Sequence, residues 1–235
     1  MPAKVFELDE IGTVSVYKRR GTRSIRLGFD SKGEIKITMP TWIPYRAAVD
    51  FALQRIDWIR KHQPEPTRAY KHGDRIGKAH RLVFIADPAV SSTQVRLKST
   101  EITVKYPSGV RAMDPKVQAA AERGAKKALL QEAERLLPQR LAALAEAHGF
   151  AYTSVTVKQL KTKWGSCDQR HNITLNYYLL QLPWNLIDYV LIHELVHTEH
   201  LNHSVEFWAR FEESLPGAKK IRKELRTYKT SVIAT

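Results

Sequence analysis

The chain has 235 residues, 43% of them hydrophobic and 26% charged, a balance that buries one substantial core or two small ones and excludes a disordered chain. It has no run of about eighteen apolar residues, and its first residues, Met1 to Glu10, lack the apolar centre of a signal peptide. A single cysteine, Cys167, forbids an internal disulfide and fits a reducing compartment, so a soluble cytoplasmic protein with no membrane partner is expected.

The first half reads as β-rich. Thr13 to Tyr17, Ser24 to Phe29 and Glu34 to Thr38 alternate apolar with polar residues, and Asp30-Ser31-Lys32-Gly33 is a hairpin turn between the second and third runs. A half-buried antiparallel sheet follows from that pattern. One helix is predicted from Pro44 to Lys61, with Ala47, Val49, Phe51, Ala52, Ile56, Trp58 and Ile59 on its apolar side. Further strands are predicted at Arg81 to Ile85, Gln94 to Leu97 and Glu101 to Lys105, and Pro107-Ser108-Gly109 closes the β region. The fold class is α+β, with a soft boundary that separates a β-rich region, 1–110, from a catalytic region, 111–235.

A long helix is predicted from Pro115 to His148, with a break near Leu137 because Pro138 falls inside its pattern. Alternation returns at Tyr152 to Gln159 and at Asn172 to Leu180. Pro183 suits the first turn of a helix through Val196, in which Asp188 is tolerated near the positive end of the dipole. Asn202 is a turn residue, Ser204 caps a further helix carrying Val205, Phe207, Trp208 and Phe211, and Gly217 to Lys229 forms a short basic helix.

The chemistry concentrates in His193-Glu194-Leu195-Val196-His197. Histidines four apart on a helix point to one side about one turn apart, the separation that two ligands of one tetrahedral zinc require. From Trp184 to Val196 this helix is apolar nearly all round, hence buried, and a divalent cation compensates two imidazoles and a carboxylate held there. Glu194, rotated by roughly 100° from His193, leans over a water in the open fourth position and is the candidate general base. His203, at the corner after the helix, turns back as the third ligand; Glu212 or Glu213 is the alternative, giving two histidines and a carboxylate. His200 lies beyond the metal's reach on a continuous helix. The metzincin pattern is not matched, since His200 stands where that motif has glycine and Met1, Met39 and Met113 all precede the site. Cys167 reads as a packed turn residue, because a fourth protein ligand would close the site.

Upstream stand Lys163-Trp164-Gly165-Ser166-Cys167, then Asn172-Ile173-Thr174-Leu175-Asn176, Leu182-Pro183 and Asp188-Tyr189-Val190; downstream come Asn202-His203-Ser204 and Phe207-Trp208. This ordered set resembles the YgjP-like predicted metal-dependent hydrolases, relatives of the WLM and SprT-like zincins. The N-terminal half matches more loosely, through Ser24 to Leu27, the Gly33 turn, Met39-Pro40 and Trp58-Ile59. The resemblance implies a zincin-like metallopeptidase core with an HExxH active-site helix, metal ligands His193, His197 and His203, and Glu194 at the catalytic position. In zincins a strand beside the metal can pair with an extended substrate, and Asn172 to Tyr178 is the candidate here. Trp164 and Ser166 shape the cleft wall, and Asn176, Tyr177 and Tyr178 are open candidates for oxyanion donors.

The expected activity is zinc-dependent hydrolysis of a peptide or protein substrate by metal-activated water. Two alternatives stay open: a nucleoside triphosphate pyrophosphatase on the same metal, and a non-catalytic nucleic-acid-associated zinc protein. They draw on the formal net charge of +14. Basic residues gather at Lys18 to Arg26, at Lys158, Lys161 and Lys163, and at Lys219, Lys220, Arg222, Lys223 and Arg226. Such a field attracts nucleic acid, nucleotide or acidic protein, although a basic surface also serves solubility alone.

Overall fold

Two compact units, Met1–Arg68 and Ala69–Thr235, make up the chain in the computed structural model, which describes residues 3–30, 33–62, 69–228 and 230. In the first unit, strands β1 (Lys4–Leu8), β2 (Gly12–Arg19), β3 (Arg26–Phe29) and β4 (Ile35–Pro40) form one sheet in the order β1-β2-β4-β3. The sheet is mixed rather than antiparallel, because β4 enters between β2 and β3 and runs parallel to β2. Alternation along a strand reports which face is buried and is blind to the direction of the neighbour. Ser31 and Lys32 of the expected turn lie outside the described residues; Gly33 beside them has φ 82° and donates from its N–H to the Asp30 carbonyl.

The single helix expected from Pro44 to Lys61 is two, α1 (Tyr45–Leu53) and α2 (Ile56–His62). They part where the Arg55 N–H turns to the carbonyl of Ala52, three residues back. Ala48, Ala52 and Ile59 complete a core with Val14, Val16, Ile35, Ile37 and Met39, while Trp58 is displaced to a half-exposed position, its ring stacked on Phe29 at 5.9 Å.

The second unit begins with β5 (Arg75–Ile76), β6 (His80–Ala86), β7 (Gln94–Leu97) and β8 (Glu101–Tyr106), in the order β5-β6-β8-β7 with β6 and β8 parallel. This repeats the strand order and pairing senses of the first sheet, which no sequence periodicity announced. Ile76, Leu82, Ile102 and Val104 share one core with the long helix α3 (Pro115–His148) and everything after it. The boundary expected at 110/111 therefore cuts through a continuous core, and the chain divides at Arg68/Ala69 instead.

α3 is uninterrupted. Asp114 caps its start by accepting from the Lys116 N–H at 2.8 Å, Pro115 occupies the first turn, and Gly149 ends it at φ 73°. The break expected at Pro138 does not occur: Leu137 and Leu141, on either side of Pro138, are fully buried and hold the helix to its neighbours. Gly124 allows close approach to the sheet, since a Cβ there would lie 2.7 Å from Ile102 Cγ2 and 2.9 Å from Val95 Cγ1. The buried Glu132 carboxylate, on the same helix, accepts from the Lys78 and Ala79 N–H groups at 2.7 and 3.1 Å and pairs with His80, fastening the β5–β6 turn.

A second sheet, β9 (Ser154–Lys158), β10 (Gly165–Cys167) and β11 (Asn172–Asn176), has the order β10-β11-β9. The alternation expected to run to Leu180 stops at Asn176, whose side chain accepts from the Tyr178 N–H and opens a 3-10 turn over Tyr177–Gln181. Then come α4 (Trp184–Val196), α5 (Val205–Ser214) and α6 (Ala218–Leu225). α4 is buried on nearly every side, and Asp188 near its start receives a bidentate ion pair from Arg140 of α3, at 2.8 and 2.6 Å. Among the described residues no helix is long and apolar enough to cross a membrane.

Candidate metal centre and cleft

α4 ends where its histidines begin. His193 and Glu194 lie in the last turn, His197 is the C-cap with αR backbone, and the chain then turns through His200 to Ser204, which caps α5 by accepting from the Phe207 N–H. That corner swings His203 back over the helix end. His203 Nε2 lies 3.1 Å from His193 Nε2, and the nearest ring nitrogens of His193, His197 and His203 all fall within 4.8 Å of one another. Two nitrogens on a tetrahedral zinc at 2.0–2.1 Å are about 3.3 Å apart, so the closest pair already stands near the required separation.

Below the three imidazoles sits the fully buried Phe207, 5.1, 4.7 and 4.7 Å from the His193, His197 and His203 rings, and Trp208 stacks beside His203 at 5.7 Å. This apolar floor excludes water and fixes ring positions. Burial, with smaller contributions from His197, His203 and Arg222, pushes His193 down to about 3, and burial also lowers His197. Both therefore stay neutral with a lone pair free for a cation. His197 donates from Nδ1 to the His200 carbonyl at 3.0 Å, which leaves Nε2 as its ligand atom. His200 thus contributes through its backbone. The buried Nδ1 of His193 has no hydrogen-bond partner among the described residues. Three converging neutral imidazoles, one oriented through a backbone carbonyl, fit a divalent metal.

The carboxylate alternatives point elsewhere. Glu212 accepts from the Gly217 N–H at 2.7 Å, and Glu213 pairs with Arg210 at 3.2 Å on the surface. Neither joins the histidine cluster.

Glu194 is 5% exposed, and burial pushes its carboxyl up to about 8, partly offset by Lys163. It rests against Gly165, whose missing side chain leaves room for it. His193, Glu194 and His197 open into a cleft of about 580 Å³ walled on one side by Lys163 to Cys167, so Trp164 and Ser166 stand where a wall was expected. Cys167 is partly buried on that wall, and burial, with Glu194 and Asp168, pushes its thiol up to about 11. It remains outside the histidine cluster.

The strand expected to pair with a substrate is not free to do so: β11 is the middle strand, hydrogen-bonded on both sides, and the edge that borders the cleft is β10. Nor do the three open candidates for oxyanion donors line the cleft. Asn176 donates both amide hydrogens to the carbonyls of Leu160 and Lys163 at 2.9 Å, Tyr177 donates to Gln159 at 3.2 Å, and Tyr178 is buried. Beyond the motif, the lining includes Tyr189, Val190, Leu201, Arg222, Leu225, Arg226 and Tyr228. Most of these lie on or just after α6, whose basic pattern marked it in the sequence only as a charged helix.

The family described as YgjP-like, metallopeptidase domain, matches residues 23–228 of the chain. Among solved structures, the metallopeptidase zymogen abylysin of Pyrococcus abyssi is similar at 28% identity over 42% of this chain and 99% of its own, with a TM-score of 0.37. The metallopeptidase zymogen jannalysin of Methanocaldococcus jannaschii is similar at 17% identity over 39% of this chain and 94% of its own, with a TM-score of 0.36. No curated protein matches the chain.

Proposed function

As the chain belongs to the YgjP-like metallopeptidase family, we propose that it is a zinc metallopeptidase in which His193, His197 and His203 hold the metal and Glu194 is the general base. The observation that carries this reading is the convergence of three imidazole nitrogens within 4.8 Å beside a buried carboxyl. Zinc held there by the three histidines would supply a Lewis acid for the scissile carbonyl and for the attacking water. Glu194 accepts the proton of that water and delivers it to the leaving amide nitrogen. Its burial keeps competing water away from that proton, and Gly165 holds the carboxyl close to the wall of the cleft. The edge of β10 offers backbone groups to an extended peptide alongside.

The test is a panel of unfolded proteins, peptides and nucleoside triphosphates assayed with the zinc-loaded protein, with and without chelator, beside Glu194→Gln. Peptide cleavage that chelator abolishes, together with a variant that retains zinc by elemental analysis and loses turnover, is the expected result. Turnover retained in the variant removes Glu194 from the role of base, and turnover confined to triphosphates replaces the peptidase reading with a pyrophosphatase.

A further inference from the structure

Three basic side chains stand on the rim of the cleft with no acidic partner among the described residues. Lys163 lies just before the edge strand β10, Arg222 on α6, and Arg226 at the C-cap of that helix; all three line the cleft and are exposed. The two other arginines that pack α3, α4 and α5 together are satisfied, Arg140 by Asp188 and Arg210 by Glu199 and Glu213. Among the described residues no carboxylate pairs with Lys163, Arg222 or Arg226. The single carboxylate lining the cleft is that of Glu194, which is buried. Asp168, just beyond the wall, is absorbed by its own turn, where it accepts from the N–H groups of Arg170 and Asn172 at 2.9 Å.

These cations are also placed close to the chemistry. The Arg222 guanidinium lies over the Trp208 ring at 5.0 Å, Trp208 stacks on His203 at 5.7 Å, and His203 Nε2 is 3.1 Å from His193 Nε2. Contact with the indole face restrains the guanidinium, which lines the cleft. Lys163 is near enough to favour the ionised form of Glu194, and both arginines favour the ionised form of Tyr189. Anion-binding groups thus approach the reacting centre from two separate elements, the β10 wall and α6.

We infer that Lys163, Arg222 and Arg226 select peptide substrates carrying carboxylates on residues beside the scissile bond. The inference rests on the peptidase reading proposed above. A carboxylate on the substrate receives a charge-assisted, forked pair of hydrogen bonds from a guanidinium that no carboxylate among the described residues pairs with. The net charge of +14 draws acidic segments toward the molecule before they dock. A triphosphate is less well served, because the cations do not surround a glycine-rich phosphate cradle, and the histidine triad is the only cluster among the described residues able to hold a metal, with no carboxylate group for magnesium.

The experiment measures fluorescence anisotropy of labelled peptides of one backbone, with Glu, Gln or Lys on either side of a central apolar pair, each with a free or an amidated C-terminus. Binding is to zinc-loaded Glu194→Gln, and cleavage of the same peptides is followed with the zinc-loaded natural sequence. Each exposed carboxylate–cation pair is expected to tighten binding by about 1.5- to fivefold over Gln at low salt, an advantage that salt diminishes. The advantage should vanish when Lys163→Gln, Arg222→Gln and Arg226→Gln are added together, and be reduced but not abolished with Arg222→Lys and Arg226→Lys, which keep the charge and lose the fork. A preference that follows the side chains assigns the carboxylate to Asp or Glu, and one that follows the free terminus assigns it to the chain end. Equal affinity for the three peptides overturns the inference, as does a preference that survives the triple Gln change or a nucleoside triphosphate that binds more tightly than the acidic peptide. Acid-selective binding without cleavage of any peptide refutes the peptidase reading and leaves the selectivity standing. Cleavage without selectivity refutes the selectivity alone.

Discussion

Gly165 and Glu194 occupy one space: a Cβ built on Gly165 would lie 2.7 Å from Oε1 of Glu194, 2.8 Å from its Cγ and 2.9 Å from its Cδ. The requirement is steric, since the contact is with the whole end of the glutamate side chain and Gly165 itself is buried in the edge strand β10. Gly165→Ala is expected to push the carboxyl aside and lower kcat by about ten- to a hundredfold, while costing about 1–3 kcal/mol of stability through overpacking. Zinc content should be unchanged, because the three atoms nearest the added methyl all belong to Glu194 and not to a histidine. Full kcat in that variant would show that the carboxyl does not need its observed place.

His203 differs from the other two imidazoles in coming from outside α4, so its contribution can be removed without disturbing that helix. His203→Ala should leave the fold intact and lower zinc affinity by at least about a hundredfold, by analogy with the loss of a ligand from a three-ligand site. Glu212→Gln and Glu213→Gln should each keep full zinc content, because these carboxylates bond to Gly217 and Arg210. Elemental analysis after dialysis against a weak chelator distinguishes the two classes, and zinc lost from either glutamate variant would return the third ligand to α5.

Asn176 acts at a distance through the loop it ties down. Its amide donates to the carbonyls of Leu160 and Lys163, its oxygen accepts from the Tyr178 N–H, and its own N–H reaches the Trp164 carbonyl. Asn176→Ala strands two carbonyls and one N–H and is expected to cost about 2–4 kcal/mol. The same change loosens Lys163 and Trp164, so KM for an acidic peptide should rise while zinc content holds. Denaturant titration and steady-state kinetics measure both effects, and an unaltered midpoint would contradict the role of this buried amide.

What the sequence made legible were features decided within one or two turns of chain. The His193/His197 pair, the Ser204 cap and the corner carrying His203 all follow from local spacing and capping, and each has its place in the structure. Misjudged features depended on partners far along the chain. The parallel pairing of β2 with β4, the continuity of α3 through Pro138 and the exclusion of β11 from the cleft edge are settled by neighbours that periodicity does not name. Arg222 and Arg226 looked like ordinary charges on a basic helix, because their place beside His193 arises only when α6 packs against α4. Gly165 stood out as part of a motif, yet its reason became visible only with Glu194 against it.

The metal-free protein should carry the signature of its buried site in its stability against pH. Burial holds Glu194 at about 8 against an ordinary 4.5, so the folded state keeps a proton that the unfolded state has lost. That contribution is fully present below 4.5 and disappears as pH rises through 8, with a slope of up to about 1.4 kcal/mol per pH unit. His193 acts in the opposite sense: held at about 3 against 6.5, it favours the folded state above 6.5 and loses that advantage as pH falls toward 3, and His197 adds to it. The two slopes oppose each other below 6.5, and above it Glu194 acts without the histidines. In the presence of chelator, the denaturation midpoint should therefore peak near neutral pH and fall toward 8, and Glu194→Gln should flatten the falling limb. A midpoint that stays level between 6.5 and 8 in the natural sequence would mean that the carboxyl is ionised without a cation beside it, contrary to its burial.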